Sequence, residues 1–327
     1  MTFLLSRVAH TVIVLLATAF ISFVIIRYVG DPVNNIVGQA ATLDDREAMR
    51  RALGLDDPAI VQFWRFLGNV LSGNLGVSYR YGDPVAKLLL ERAPASLELS
   101  LCAMALAAGL GIPLGVWTAI HRGSILTRVL LTLSVIGVAL PTFLVGIILI
   151  LVFSVQLGWL PAFGRGAVTD LGGWTTGFLT VSGLKALILP SVTLGLFQMT
   201  LVMRLVRAEI SEVLRSSFIK FAIARGLPRR SIYYRHALGN ALLPVMTIVA
   251  LQFGSLFAFS IIVETVFQWP GLGLLVIQAI QFADVPVLSA YLVLVSGLFA
   301  ILNLIVDVLS PVIDPRLRAS GHPGRTA

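Results

Sequence analysis

Long apolar stretches alternate with shorter polar segments along the whole chain. The first runs from 8 to 26, carries no charge and is bracketed by Arg7 and Arg27. A helix of about 20 apolar residues crosses a hydrocarbon layer about 30 Å thick. Five further stretches of comparable length lie at about 99–120, 129–157, 186–203, 241–263 and 287–306. The pattern predicts an all-α integral membrane protein with six transmembrane helices.

Two prolines interrupt these stretches. Pro141 is expected to kink the third helix, and Pro190 to break the fourth near its start. A cleaved signal peptide is the alternative for the first stretch. That stretch is longer than the apolar region of a usual signal, and no A-x-A-like site follows at 28–32. We therefore expect an uncleaved first helix within 1–28.

The segment 29–95 is polar and predicts a small extramembrane insert after the first helix. Asp44–Leu53 and Ala59–Leu71 have the periodicity of short amphipathic helices, and Asp57-Pro58 separates them. The segment is smaller than the usual independent domain.

The segment 204–240 is the longest polar interval in the second half of the chain. It carries eight basic and two acidic residues. Its apolar residues recur at steps of three and four, which predicts one amphipathic helix that ends at Gly226, where Pro228 can begin the next helix. These apolar residues are Val206, Ile210, Val213, Leu214, Phe218 and Phe221. Such a helix between two membrane spans is either a docking surface for a cytoplasmic partner or an element that lies on the lipid headgroups.

Lysine and arginine counts in the short loops indicate the orientation, because these residues concentrate on the cytoplasmic side. The loops at 121–128 and 204–240 and the tail at 315–327 are basic, whereas the loop at 264–286 has no basic residue. We expect both termini in the cytoplasm and the insert outside it.

Composition supports the membrane assignment. Hydrophobic residues make up 57% of the chain and charged residues 12%, against about 25% charged in soluble domains. The single cysteine and four scattered histidines show no metal-ligand spacing. The sequence also has no phosphate-binding loop, no H-E-x-x-H and no G-x-S-x-G motif. We therefore expect no catalytic residue, no metal site and no cofactor in this chain.

Three segments resemble one known family, the permease subunits of dipeptide and oligopeptide ABC importers, and the B-type subunit in particular. They are Arg204–Pro244, VETVFQWPGLG at 263–273 and NLIVDVLSPVIDPRLR at 303–318. The stretch LLSRVAHTVIVLLATAFISFVIIRYVGDP at 4–32 and the insert sequence GNLGVSYRYGDPV are also similar to that family.

The resemblance implies a type I ABC importer permease fold, with a core at 96–314, in a bacterial cytoplasmic membrane. It implies a second homologous permease subunit, two ATPase subunits that hold ATP and Mg²⁺, and an extracytoplasmic binding protein. Related permeases serve dipeptides, longer peptides, nickel chelates or glutathione, and no residue here separates these substrates.

In this family a short cytoplasmic helix with an EAA signature contacts the ATPase. Aligned on Gly226, the Glu-Ala-Ala positions are Lys220, Phe221 and Ala222, so only the last alanine and the glycine match. The resemblance implies a coupling role for a set of residues in this segment: Arg215, Phe218, Lys220, Phe221, Ala222 and Gly226.

Polar residues within the apolar stretches are the candidates for the translocation path: Gln198, Gln252, Glu264, Asn303 and Asp307. Amides at such depth also bond neighbouring helices, and Asn303 and Asp307 share one helical face. Glu264 is interpreted either as a solvated loop acid or as a polar group at the outer end of the path.

Two other classes of protein are considered. A secondary carrier or channel commonly has charges within its spans and an inverted repeat, and neither is evident here. A receptor or scaffold that uses the insert would leave the apolar residues of 204–240 unexplained.

Overall fold

The computed structural model describes residues 2–28, 33, 42–52 and 54–313. The first helices are α1 (Thr2–Tyr28), α2 (Leu43–Ala52), α3 (Ala59–Leu71), α4 (Val85–Ile120), α5 (Ile125–Ala139) and α6 (Thr142–Leu149), which continues as a π-helix at Ile150–Gln156. A hairpin follows, with β1 (Thr169–Asp170) antiparallel to β2 (Thr175–Thr176). The later helices are α7 (Val181–Val213), α8 (Ser217–Ala224), α9 (Arg229–Ser231), a π-helical stretch at Ile232–Ala237, α10 (Leu238–Val266), α11 (Leu272–Gln281) and α12 (Val285–Ile313).

Four of these helices are individually long and apolar enough to cross a membrane: α1, α4, α7 and α12. The number rises to six if the bent pair α5–α6 and the bent helix that runs through α9 and α10 are each one span. The predicted all-α membrane architecture is therefore confirmed. The second span begins earlier than expected, since α4 starts at Val85 inside the predicted insert. The predicted tail at 315–327 and the insert positions 29–32 and 34–41 lie outside the described residues.

The two prolines behave differently from the expectation. At Pro141 the chain bends by 104° between α5 and α6, which is much more than a kink. Leu140, just before the proline, is extended (φ −76°, ψ 130°), because proline disfavours the helical conformation in the residue that precedes it. Pro190 lies inside the continuous helix α7, so the predicted break there is wrong. Pro190 is buried, and packing against neighbouring helices is what lets a membrane helix accommodate proline.

The described chain forms two compact units. The first comprises residues up to Pro94 together with Gly271–Ile301. Within it, α1 packs on α3 through edge-to-face aromatic pairs, with the ring centroids of Phe23 and Phe63 5.6 Å apart. The buried Asp284 carboxylate accepts hydrogen bonds from the Ser78 hydroxyl and from the Tyr79 amide (3.2 Å). The start of α12 thereby fixes the end of the insert.

The second unit comprises Ala95–Pro270 and the chain from Leu302. Its core contains residues of α4, α7 and α10 together with the fully buried Phe267 and Trp269. Small residues let α4 and α7 approach closely. A Cβ atom at Gly115 would lie 2.6 Å from the Val206 Cβ, and one at Gly111 would lie 2.9 Å from the Met199 carbonyl oxygen. A Cβ at Gly109 would meet nothing within 4 Å, so that glycine has no such role.

A buried ion pair holds the hairpin against α4. The Arg165 guanidinium donates to the Glu98 carboxylate at 2.6 Å, and the two side chains are 7% and 3% exposed. Arg165 also donates to the Thr175 carbonyl (2.7 Å), and Glu98 accepts from the Gly177 amide (3.2 Å). No local sequence pattern indicates this pair, because its two residues lie 67 positions apart in the chain.

We predict opposite effects for two glycine-to-alanine substitutions in α4. Gly115→Ala forces the new methyl group into Val206 and should destabilise the chain by roughly 1–3 kcal/mol. Gly109→Ala meets open space and should be neutral or stabilising by up to about 1 kcal/mol, since alanine favours the helix. The measurement is the thermal unfolding of each variant in detergent. Equal melting temperatures for the two would contradict the close packing of α4 and α7.

We also predict that Glu98→Gln destabilises the chain by about 3–5 kcal/mol, because it leaves the Arg165 charge buried without its partner. The double variant Glu98→Gln/Arg165→Met should recover part of that loss. Asp83→Asn is the matched control, since it breaks an exposed pair with Lys87 and should change stability by only about 0–1 kcal/mol. If unfolding curves show that Glu98→Gln and Asp83→Asn behave alike, Glu98 and Arg165 do not form a buried pair.

Candidate functional site

Helix α8 is short and has a defined start and end. The Ser216 side chain caps its N-terminus by accepting from the Ile219 amide (3.4 Å). At its C-terminus the Leu227 amide bonds the Ala222 carbonyl (3.2 Å) and the Gly226 amide bonds the Ile223 carbonyl (2.9 Å). This pair of hydrogen bonds requires a residue in the left-handed conformation, and Gly226 has φ +74°. The helix end predicted at Gly226 is confirmed.

The prediction of one amphipathic helix up to Gly226 is wrong. The chain turns at 214–216, where the Arg215 and Ser216 amides bond the carbonyls three residues earlier. The serine cap favours a new helix start over continuation of α7. As a result, the apolar residues do not share one face. Val206 and Ile210 are buried in α7, whereas Phe218 and Phe221 are exposed on α8.

The two faces of α8 have different environments. Ile219 and Ala222 are buried with Ile232 and Ala237 in one apolar cluster, against which Val213 and Leu214 also pack. Away from these residues, α8 carries two exposed aromatic side chains three positions apart, Phe218 (47%) and Phe221 (61%). We call these two residues the outer face of α8. A rigid helix therefore presents an apolar surface that the rest of the unit does not cover.

The candidate coupling residues differ in accessibility. Arg215 lies in the turn before α8 and is exposed, as are Phe218, Lys220 and Phe221. Ala222 is 4% exposed and packs inside the chain, so it supports α8 from within. Within the described residues, only two side-chain ring contacts reach the outer face. The His236 ring lies 5.7 Å from that of Phe218, and Arg225 lies 5.2 Å from the centroid of Phe221.

The candidate path residues do not form one hydrogen-bonded site in the described part of the chain. Gln198 is buried in α7, and its amide nitrogen has no hydrogen-bond partner there. Gln252 in α10 is half-buried and Asn303 in α12 is exposed. Asp307 belongs to α12, but its side chain lies outside the described residues.

Glu264 is not a solvated loop acid, so that interpretation is wrong. It lies within α10, is 0% exposed, and accepts hydrogen bonds from the Ser96 hydroxyl (2.6 Å) and the Ser260 hydroxyl (3.0 Å). Close by in sequence, the Trp269 indole donates to the Ala95 carbonyl (2.9 Å). The Glu264 carboxylate therefore connects α10 to Ser96, at the start of the membrane part of α4. A path role for Glu264 stays a prediction.

Family models match both parts of the chain. The family described as binding-protein-dependent transport system inner membrane component matches residues 111–319, and its N-terminal counterpart matches residues 1–100. A chain from the solved structure of the inward-facing MetNI methionine ABC transporter covers 69% of this chain and 96% of its own length, with TM-score 0.55 and 18% identity. At that identity the likeness concerns the fold alone, and it agrees with the predicted type I importer fold.

Curated relatives extend the similarity over almost the full length. The di/tripeptide transport system permease protein DppB of Pseudomonas aeruginosa is 37% identical, with 96% of this chain and 99% of the relative covered. The dipeptide transport system permease protein DppB of Escherichia coli K12 is 35% identical, with 97% and 98% covered. The resemblance predicted from the sequence is confirmed, and the chain belongs to the family of binding-protein-dependent transport system inner membrane components.

Proposed function

We propose that this chain is a permease subunit of an ATP-driven importer of di- and oligopeptides. The observation that carries the proposal is similarity over nearly the whole chain to relatives named as dipeptide permeases, at 35–37% identity. Nickel chelates and glutathione are the alternative substrates within the same architecture.

The proposed assembly contains partners for three tasks: completing the translocation path, delivering the peptide and hydrolysing ATP. A second homologous permease subunit would complete the translocation path, and an extracytoplasmic binding protein would deliver the peptide. Two ATPase subunits would bind ATP and Mg²⁺ and carry out hydrolysis, so this chain would be a transporter component and not an enzyme. The basic loops at 121–128 and 204–240 support a cytoplasmic location for α8 and for both termini.

Helix α8 would couple ATP hydrolysis to transport. Its inner face packs on Ile232 and Ala237, just before α10, and on Val213 and Leu214 at the end of α7. A displacement of α8 would therefore reach two membrane helices through direct apolar contact. On the outer face, Phe218 and Phe221 would each contribute about 1.5–3 kcal/mol when fully buried in a groove of the ATPase.

We predict that Phe221→Asp uncouples the importer. A carboxylate in place of an apolar side chain should remove at least the burial contribution of Phe221, which corresponds to a roughly 10- to 100-fold weaker association. Because Phe221 is 61% exposed, the folded chain should tolerate the change. The measurement is peptide uptake by the complete transporter in proteoliposomes, together with ATPase activity that depends on the peptide and its binding protein.

Phe221→Leu is the matched control, since it keeps an apolar side chain at the same place, and it should retain most of the uptake. Wild-type uptake by Phe221→Asp would contradict the coupling role of α8. Uptake driven by an ion gradient without any ATPase would contradict the proposed class of transporter.

A further inference from the structure

A cavity of about 490 Å³ lies within the second unit, at the ends of α4 and α7 and beside α5. Four arginines line it: Arg122 after α4, Arg204 and Arg207 on α7, and Arg215 in the turn after α7. We call this the arginine cavity. No aspartate or glutamate is among its lining residues. From the sequence these arginines indicate the orientation of the chain, and Arg215 also belongs to the candidate coupling residues.

No described carboxylate neutralises the positive charge of this cavity. Among the described residues, none of the four arginines forms an ion pair. Arg122 donates to the carbonyls of Ala119 (3.1 Å) and Ser211 (3.4 Å), which fixes its place without supplying a counter-charge. Four cations around one cavity repel one another, so an anion bound there would lower the electrostatic energy.

A second cavity, of about 340 Å³, lies beside the first and is lined by α5, α6 and α7 and by Leu114 of α4. The two cavities share Ser134 of α5. The lining residues of the second cavity on α7 lie between Thr193 and Met203, directly before Arg204. This stretch is about 15 Å long at 1.5 Å per residue. Its lining is almost entirely apolar, with hydroxyl groups as the only polar side chains. We call this the apolar groove.

We propose that the arginine cavity and the apolar groove together bind one anionic phospholipid, with its phosphate among the arginines and one acyl chain along the groove. Guanidinium groups suit a phosphate because they donate two parallel hydrogen bonds and stay charged. Basic pockets between membrane helices bind anionic headgroups in this way. A soluble phosphate would fill the arginine cavity but leave the groove unexplained. An acidic protein segment would do the same.

The groove also lies where lipid tails are expected. It is lined mainly by α5, α6 and α7. Helix α7 is long and apolar enough to cross a membrane by itself, and α5 and α6 are so as a bent pair. Leu133 of α5 and Leu140 at its end both line the groove and are 56% and 37% exposed in this chain. A bound tail would cover such apolar side chains. This site is independent of peptide recognition and of the outer face of α8.

The test is native mass spectrometry of the complete transporter in detergent, with phosphatidylglycerol and phosphatidylcholine of equal chain length added in competition. We expect the wild type to retain phosphatidylglycerol. The double variant Arg204→Gln/Arg207→Gln should retain at least 10-fold less. Arg204→Lys/Arg207→Lys should retain an intermediate amount, because the charge remains but the paired hydrogen bonds of the guanidinium groups are lost. Arg128→Gln/Arg235→Gln is the matched control, since it removes two exposed arginines outside the cavity.

Three results would overturn the proposal. The first is equal retention of phosphatidylglycerol by the Arg204→Gln/Arg207→Gln variant and the wild type. The second is equally tight binding of glycerophosphoglycerol, which has the headgroup without acyl chains. The third is a structure of the assembled transporter in which side chains of another subunit fill the arginine cavity. The control for folding is the melting temperature of the Gln and Lys variants. A value within a few degrees of the wild type shows that a difference in retained lipid comes from binding and not from folding.

Discussion

The functional account depends on one packing interaction, the burial of Ile219 and Ala222 of α8 against Ile232 and Ala237. A helix of eight residues is too short to be stable alone, so tertiary contact must hold it. The serine cap at its start and the left-handed glycine at its end fix its length and direction. With the inner face held, the aromatic side chains on the outer face project away from the chain. Each part of the coupling proposal follows from this two-faced arrangement.

The rest of the second unit provides a rigid support for α8. Along α4, the buried Glu98 and the last helical residue, Ile120, are about 33 Å apart at 1.5 Å per residue, close to the thickness of a hydrocarbon layer. Polar groups gather at both ends of this stretch, the ion pair with Arg165 at one and the arginine cavity at the other. Between them, Gly111 and Gly115 bring α4 into close contact with α7. A membrane helix built in this way transmits displacement because its packing leaves little room for adjustment.

Much of the fold could be predicted from the sequence, since apolar length and helical period are local properties. The spans, the two short helices of the insert and the cap at Gly226 are of this kind. The turn at 214–216 was not predicted, because the helical spacing of apolar residues continues across it from Val213 and Leu214 to Phe218 and Phe221. The same limit applies to Glu264 and to the Glu98–Arg165 pair. Their burial depends on residues 168 and 67 positions away in sequence, which no local pattern reveals.

The central claim is that the outer face of α8 is covered by an ATPase subunit in the assembled transporter. The most direct measurement is the maleimide labelling rate of Phe221→Cys in a Cys102→Ser background, with Tyr234→Cys as a reference position on the same loop but outside α8. The account predicts rapid labelling at position 221 when the ATPase subunits have been removed, and at least 10-fold slower labelling in the complete transporter. Equal labelling rates at position 221 in both preparations would contradict it.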